Sequence, residues 1–101
     1  MRLLVMFDLP VLTATNRKNY RQFRKLLLSE GFLMLQESVY MRVAVSKQSA
    51  EFLEARLASM APPEGIVQSL IVTEKQYASM KFLTGETIKD VRNTDDRLVV
   101  I

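Results

Sequence analysis

The sequence contains no cysteine and no histidine. Together these absences exclude disulfides, zinc sites built from thiolates or imidazoles, cysteine nucleophiles and histidine general bases. Any catalysis must run through carboxylates, a bound metal, hydroxyls, lysine or water. Glycine is scarce, with three residues in all, and Gly65 and Gly85 form no phosphate-cradling motif. No apolar run approaches a membrane span and no signal peptide is recognisable, so a cytoplasmic protein without a membrane partner is expected.

The chain does have the apolar residues for a core. Hydrophobic residues are 49% of 101 positions, enough for one compact domain and too few positions for two. The net charge is +3, and its distribution is uneven. Residues 17–30 carry five basic side chains against the single acid Glu30, a local +4 that leaves the rest of the chain at −1. The basic character therefore belongs to one segment, which points to a local anionic partner.

Residues 2–9 read as a buried strand ended by Pro10. Thr13 or Thr15 can cap a helix running to about Glu30, with Gly31 as its C-terminal stop. Tyr20, Phe23 and Leu27 share one face of that helix; Arg17, Arg21 and Arg24 share another, with Lys18 and Lys25 beside them. Residues 32–45 are extended in character and falter at Gln36-Glu37-Ser38, where a turn or bulge divides them. Ser46 and Ser49 offer caps for a second helix over about 49–60, with Ala50, Leu53, Leu57 and Met60 on its inner face. Residues 65–73 read as a strand and 77–83 as a further short strand.

This order predicts an α+β, ferredoxin-like βαββαβ domain over residues 1–83, with an antiparallel sheet and both helices on one face. The strands are apolar on both sides, so the second face needs a cover, and a second copy of the chain would supply it as a homodimer. Residues 84–96 resemble a polar linker and 97–101 a terminal strand. An apolar strand at a chain end must pair with a sheet edge, in its own subunit, across the dimer or on a partner.

Asp8 closes the apolar run Leu3-Leu4-Val5-Met6-Phe7. A carboxylate there costs desolvation unless it is exposed at a rim or bound to something positive. It is either a structural acceptor of backbone N–H bonds or a ligand for magnesium or manganese, hard ions that favour carboxylate oxygens. One carboxylate per chain makes a poor site; two related by a dimer axis make a credible one. The basic row is either a solvated face or a binder of phosphate backbones, without base stacking because Tyr20 and Phe23 point inward. Ser38 has no histidine or obvious lysine base, which favours a phosphate or backbone hydrogen bond over a nucleophile. The six methionines are expected to fill the core.

In combination, several of these residues resemble the small CRISPR-associated endoribonuclease family, the dimeric partner of the CRISPR integrase in spacer adaptation. The matching features are Phe7-Asp8 at the end of an apolar strand, the Arg/Lys-rich first helix, Gly31, and Gln36-x-Ser38-Val39-Tyr40. The Phe7-Asp8-Leu9-Pro10 version and the long C-terminal segment look like the type II branch. The resemblance implies a ferredoxin-like homodimer with two Asp8 side chains facing each other, catalytic and metal-holding. It implies magnesium-dependent cleavage of RNA or DNA phosphodiesters, and a dimer that bridges integrase dimers on duplex DNA. Asp8 carries over directly, Arg17 matches the basic position after the first strand, and Ser38 is an accessory polar position. Lys18, Arg21, Arg24 and Lys25 extend the expected nucleic-acid-binding row. The alternatives are a non-catalytic DNA-binding scaffold of the adaptation complex and a ferredoxin-like regulatory domain for a small ligand.

Overall fold

The computed structural model describes residues 1–85. Strand β1 spans Arg2–Asp8, helix α1 Ala14–Ser29, strands β2 and β3 Leu33–Gln36 and Val39–Val43, helix α2 Lys47–Ala58, strand β4 Ile66–Val72, and helix α3 Glu74–Ala78. The four strands form one sheet in the order β2-β3-β1-β4, with every neighbouring pair antiparallel. This is the expected βαββαβ arrangement, with β1, the most continuously apolar strand, between two partners.

The alternation of β1 sorts the sheet into two sides. Leu3, Val5, Phe7 and the following Leu9 join a core with Phe23 and Leu27 of α1, Leu53 and Leu57 of α2, and Phe32 and Tyr40. Phe7 sits at the centre of an aromatic group, edge-on to Phe23 at 5.3 Å and to Tyr20 at 5.9 Å, and stacked on Tyr40 at 5.7 Å. The opposite side carries Leu4 and Met6 with their register partners Met41, Leu70, Val39 and Gln68. Among the described residues neither α1 nor α2 covers this second side, and Leu33, Val43, Ile66 and Leu70 stand exposed there.

Local chemistry explains the helix ends. Thr13 caps α1 with a reciprocal pair: Asn16 N–H donates to Thr13 Oγ1 at 3.0 Å, and Thr13 N–H donates to Asn16 Oδ1 at 3.3 Å. Gly31, at φ +89°, turns the chain so that the Phe32 N–H reaches the Leu27 carbonyl. The expected break falls between β2 and β3, with a shift in register between Met34 and Gln36.

Four expectations are corrected. Helix α2 starts at Lys47, with Ser46 as its cap and Ser49 donating to it, and stops before Met60, which is exposed. The segment 77–83 is not a strand: α3 occupies Glu74–Ala78 because Thr73 and Gln76 form a second reciprocal cap. Arg2 also holds α3 down, with its guanidinium on the Glu74 carboxylate at 2.9 Å and over the Tyr77 ring at 4.1 Å. The methionines are not uniformly core: Met41 is buried, whereas Met34, Met60 and Met80 are exposed. The expected strand over 97–101 and nearly all of the linker over 84–96 lie outside the described residues. Among the described residues no helix is long and apolar enough to cross a membrane.

Candidate functional site

Asp8 is the last residue of β1 and is exposed. Its neighbours Phe7 and Leu9 are both buried among the helices, so its own side chain belongs to the open side of the sheet, in line with Leu4 and Met6. Among the described residues, no hydrogen bond or ion pair engages the Asp8 carboxylate. A strand-end carboxylate that accepts backbone N–H bonds would be occupied; this one is available.

Three segments meet around Asp8. Across the ladder it faces Ile66, the first residue of β4. Gly65 precedes Ile66 at φ +96° and approaches so closely that an added Cβ would lie 2.7 Å from the Asp8 carbonyl oxygen. On the other edge, the Phe7 N–H donates to the Ser38 carbonyl at 3.1 Å, which brings the β2–β3 turn to the same end of the sheet. Ser38 thus makes a backbone bond through its carbonyl and is half-buried. Tyr40, matched in the same motif, is a core residue.

The loop from Leu9 to Thr13 leaves the site with Val11 and Leu12 exposed at its tip. Arg17 braces that tip, donating to the Val11 and Leu12 carbonyls, each at 3.2 Å. One turn-residue earlier, the buried Asn16 donates from Nδ2 to Glu64 Oε1 at 2.7 Å. Sequence reasoning missed Asn16, Glu64 and Gly65. The local signal for Asn16 was its position three residues after Thr13; nothing local linked positions 16 and 64.

Arg17, Lys18, Arg21, Arg24 and Lys25 are all exposed along α1, opposite the buried Phe23 and Leu27. None of the five forms an ion pair among the described residues. The row is therefore a free cationic surface with Arg17 partly committed to its own loop. It lies on the helix side of the sheet, whereas the Asp8 side chain lies on the open side, so the two do not share one surface within a single chain. An open pocket of about 230 Å³, lined in part by Asn19, Gln22, Phe23 and Pro62, has no ionisable side chain in its lining.

As a metal site, Asp8 alone is incomplete. Among the described residues no group of three or more acidic side chains gathers to hold an ion. A single free carboxylate still fits a hard divalent cation that keeps most of its waters, provided a second copy contributes a second oxygen donor. At the far end of β1 the electrostatics are different. The Glu74 carboxyl is held below the usual carboxylate range, chiefly by the hydrogen bond from Arg2, and the same bond raises the Arg2 guanidinium.

The family model described as CRISPR associated protein Cas2 matches residues 1–80. A protein of Ligilactobacillus salivarius named CRISPR-associated endoribonuclease Cas2 is 57% identical over 101 residues, covering all of both chains. A protein of the same name from Lacticaseibacillus rhamnosus is 56% identical over the same full length. The crystal structure of Streptococcus pyogenes Cas2 superimposes with a TM-score of 0.62, covering 83% of this chain and 100% of that one; at 20% identity it is similar in fold.

Proposed function

The chain belongs to the CRISPR-associated Cas2 family, and we propose that it is a metal-dependent endoribonuclease whose site is completed by a second copy of itself. The observation that carries this reading is Asp8: an exposed carboxylate, unpaired among the described residues, at the rim of the apolar sheet side that α1 and α2 leave open. An apolar face rimmed by polar groups marks an interaction surface. Closing it against its twin brings two copies of one short rim together, and Asp8 is an acidic residue on that rim whose side chain lies on the open side of the sheet. A symmetric pairing then supplies the second oxygen donor that one chain lacks.

The two Asp8 carboxylates would hold magnesium, with manganese as a substitute. A divalent ion so held supplies charge neutralisation at a phosphodiester oxygen and a water of lowered pKa. The chain's own contribution is to bind and orient. Lys18, Arg21, Arg24 and Lys25 neutralise phosphates without reading bases, since no aromatic side chain shares their face. Arg17 shapes the loop between the site and the helix and offers its remaining donors beside it. Ser38 serves as an accessory polar group at the same end of the sheet. The name of the close relatives fits RNA as the cleaved polymer.

A second role follows from the separation of the two surfaces. Basic helices on the outer sides of a dimer leave duplex DNA a binding surface independent of Asp8. This suits a scaffold that bridges the CRISPR integrase and DNA during spacer adaptation in the cytoplasm, with the segment beyond residue 85 available for the partner contact.

The direct test is Asp8→Ala in magnesium with end-labelled RNA. Cleavage is expected to fall to background while the oligomeric state and duplex binding persist. Undiminished cleavage by the variant removes Asp8 from the chemistry.

A further inference from the structure

We propose that Glu64, acting through Asn16, is a positioning residue that fixes Asp8 for metal binding; this rests on the reading of Asp8 as the metal-holding carboxylate. The proposal comes from the way β4 begins. Asp8 makes the last rung of the β1–β4 ladder with Ile66. The residue before Ile66 is Gly65, whose close approach leaves no room for a side chain: an added Cβ would stand 2.7 Å from the Asp8 carbonyl oxygen and 2.8 Å from Leu9 Cδ2. The backbone of Asp8 therefore rests on Gly65. Glycine, however, has the widest backbone freedom of any residue, and nothing intrinsic to it keeps this contact in place.

Glu64 supplies the hold. Its Oε1 accepts from Asn16 Nδ2 at 2.7 Å, one residue before the glycine. Asn16 is a rigid anchor because it is only 9% exposed and its Oδ1 is engaged by the Thr13 N–H in the α1 cap. Pro62 and Pro63 stiffen the approach from the other direction. The neighbouring Arg17 fixes the opposite wall of the rim through the Val11 and Leu12 carbonyls. The end of β1 is thus clamped between the first turn of α1 and the start of β4. Without the Glu64 bond, the glycine hinge is released and the terminal Asp8–Ile66 rung frays, moving the carboxylate away from its place beside its twin.

The mechanism is a hydrogen bond and not a charge, and this separates it from a direct metal ligand. A glutamine at position 64 keeps an oxygen that accepts from Asn16; an alanine does not. The experiment measures Mn²⁺ binding by calorimetry, together with the metal dependence of cleavage, for full-length Glu64→Ala, Glu64→Gln, Asn16→Ala and Asp8→Ala. Glu64 is exposed, so its variants should fold, and an unchanged melting temperature confirms it. Glu64→Ala is expected to weaken Mn²⁺ binding about three- to tenfold, less than the loss at a group bonded directly to a ligand. Glu64→Gln should restore affinity to within about twofold of the original, because the acceptor is retained. Asn16→Ala should match Glu64→Ala; if it unfolds through loss of the cap, the two Glu64 variants decide alone. Original affinity in Glu64→Ala overturns the proposal. So does a Gln variant as weak as the Ala variant, which would make Glu64 a charge or ligand at the metal. Undiminished Mn²⁺ binding by Asp8→Ala overturns the reading of Asp8 itself and this proposal with it.

Discussion

Tyr40 places its hydroxyl in the core with no hydrogen-bond partner among the described residues, while its ring stacks on Phe7 at 5.7 Å. An orphaned buried hydroxyl carries a desolvation penalty without the compensating bond, so removing it is neutral or favourable. Tyr40→Phe is expected to leave urea stability unchanged or raise it by up to about 1 kcal/mol. A loss of that size would show that the hydroxyl has a partner after all. At this scale the sequence was readable where the cause is local. The exposure of Asp8 follows from its place at the end of an apolar strand, and the core role of Phe23 and Leu27 follows from helical spacing. It was unreadable where the cause is register. Ser38 and Tyr40 look equivalent in the string Gln36-x-Ser38-Val39-Tyr40, yet the ladder sends Tyr40 under the helices. Gly65 looks like an ordinary pre-strand glycine until β4 lies against Asp8.

Elements were legible in proportion to the strength of their caps and periodicity. Helix α1 combines a reciprocal cap, a glycine stop and an apolar stripe, and it forms where expected. Helix α3 was misread because the apolar residues Tyr77, Met80, Phe82 and Leu83 suggest a strand, while Thr73 and Gln76 hold the opposite instruction in a capping pair. The Arg2–Glu74 bond that secures it spans the whole domain in sequence and could not be read locally. This bond makes α3 sensitive to acid. The Glu74 carboxyl is held low by Arg2, so the unfolded chain takes up the proton first. Its contribution is therefore present above the ordinary glutamate value of about 4.3 and is lost as pH falls through the lower folded value. Amide exchange in α3 should accelerate relative to β1 over that acid window, and Glu74→Gln should already show the acid behaviour at neutral pH. The basic stripe of α1 makes a prediction in salt. Replacing Arg21, Arg24 and Lys25 with alanine should weaken duplex binding and flatten the log–log salt slope by about 0.9 for each lost phosphate contact. An unchanged slope places the nucleic acid on another surface.

For the whole molecule, the sheet divides the labour. One side packs α1 and α2 over a core and presents cations outward; the other is apolar, is met among the described residues only by the short α3 at its Arg2 end, and ends in Asp8. The strand order β2-β3-β1-β4 was foreseeable from the element sequence, because short connections and antiparallel neighbours leave few alternatives. The two-sided apolar pattern likewise pointed to a second layer. That the cations and the carboxylate fall on opposite sides was not foreseeable from their closeness in sequence, since it depends on which way the chain turns after Leu9. On the proposed reading, a second copy would supply both the cover and the missing carboxylate, and the metal site would be a property of the dimer. The most direct test co-refolds the original protein with an equal amount of Asp8→Ala, so that subunits pair at random, and follows magnesium-dependent RNA cleavage. If each site needs both carboxylates, activity per original protomer should fall to about half, because half of those protomers then face an inactive partner. Activity per original protomer that stays constant at every mixing ratio would contradict a site shared across the dimer.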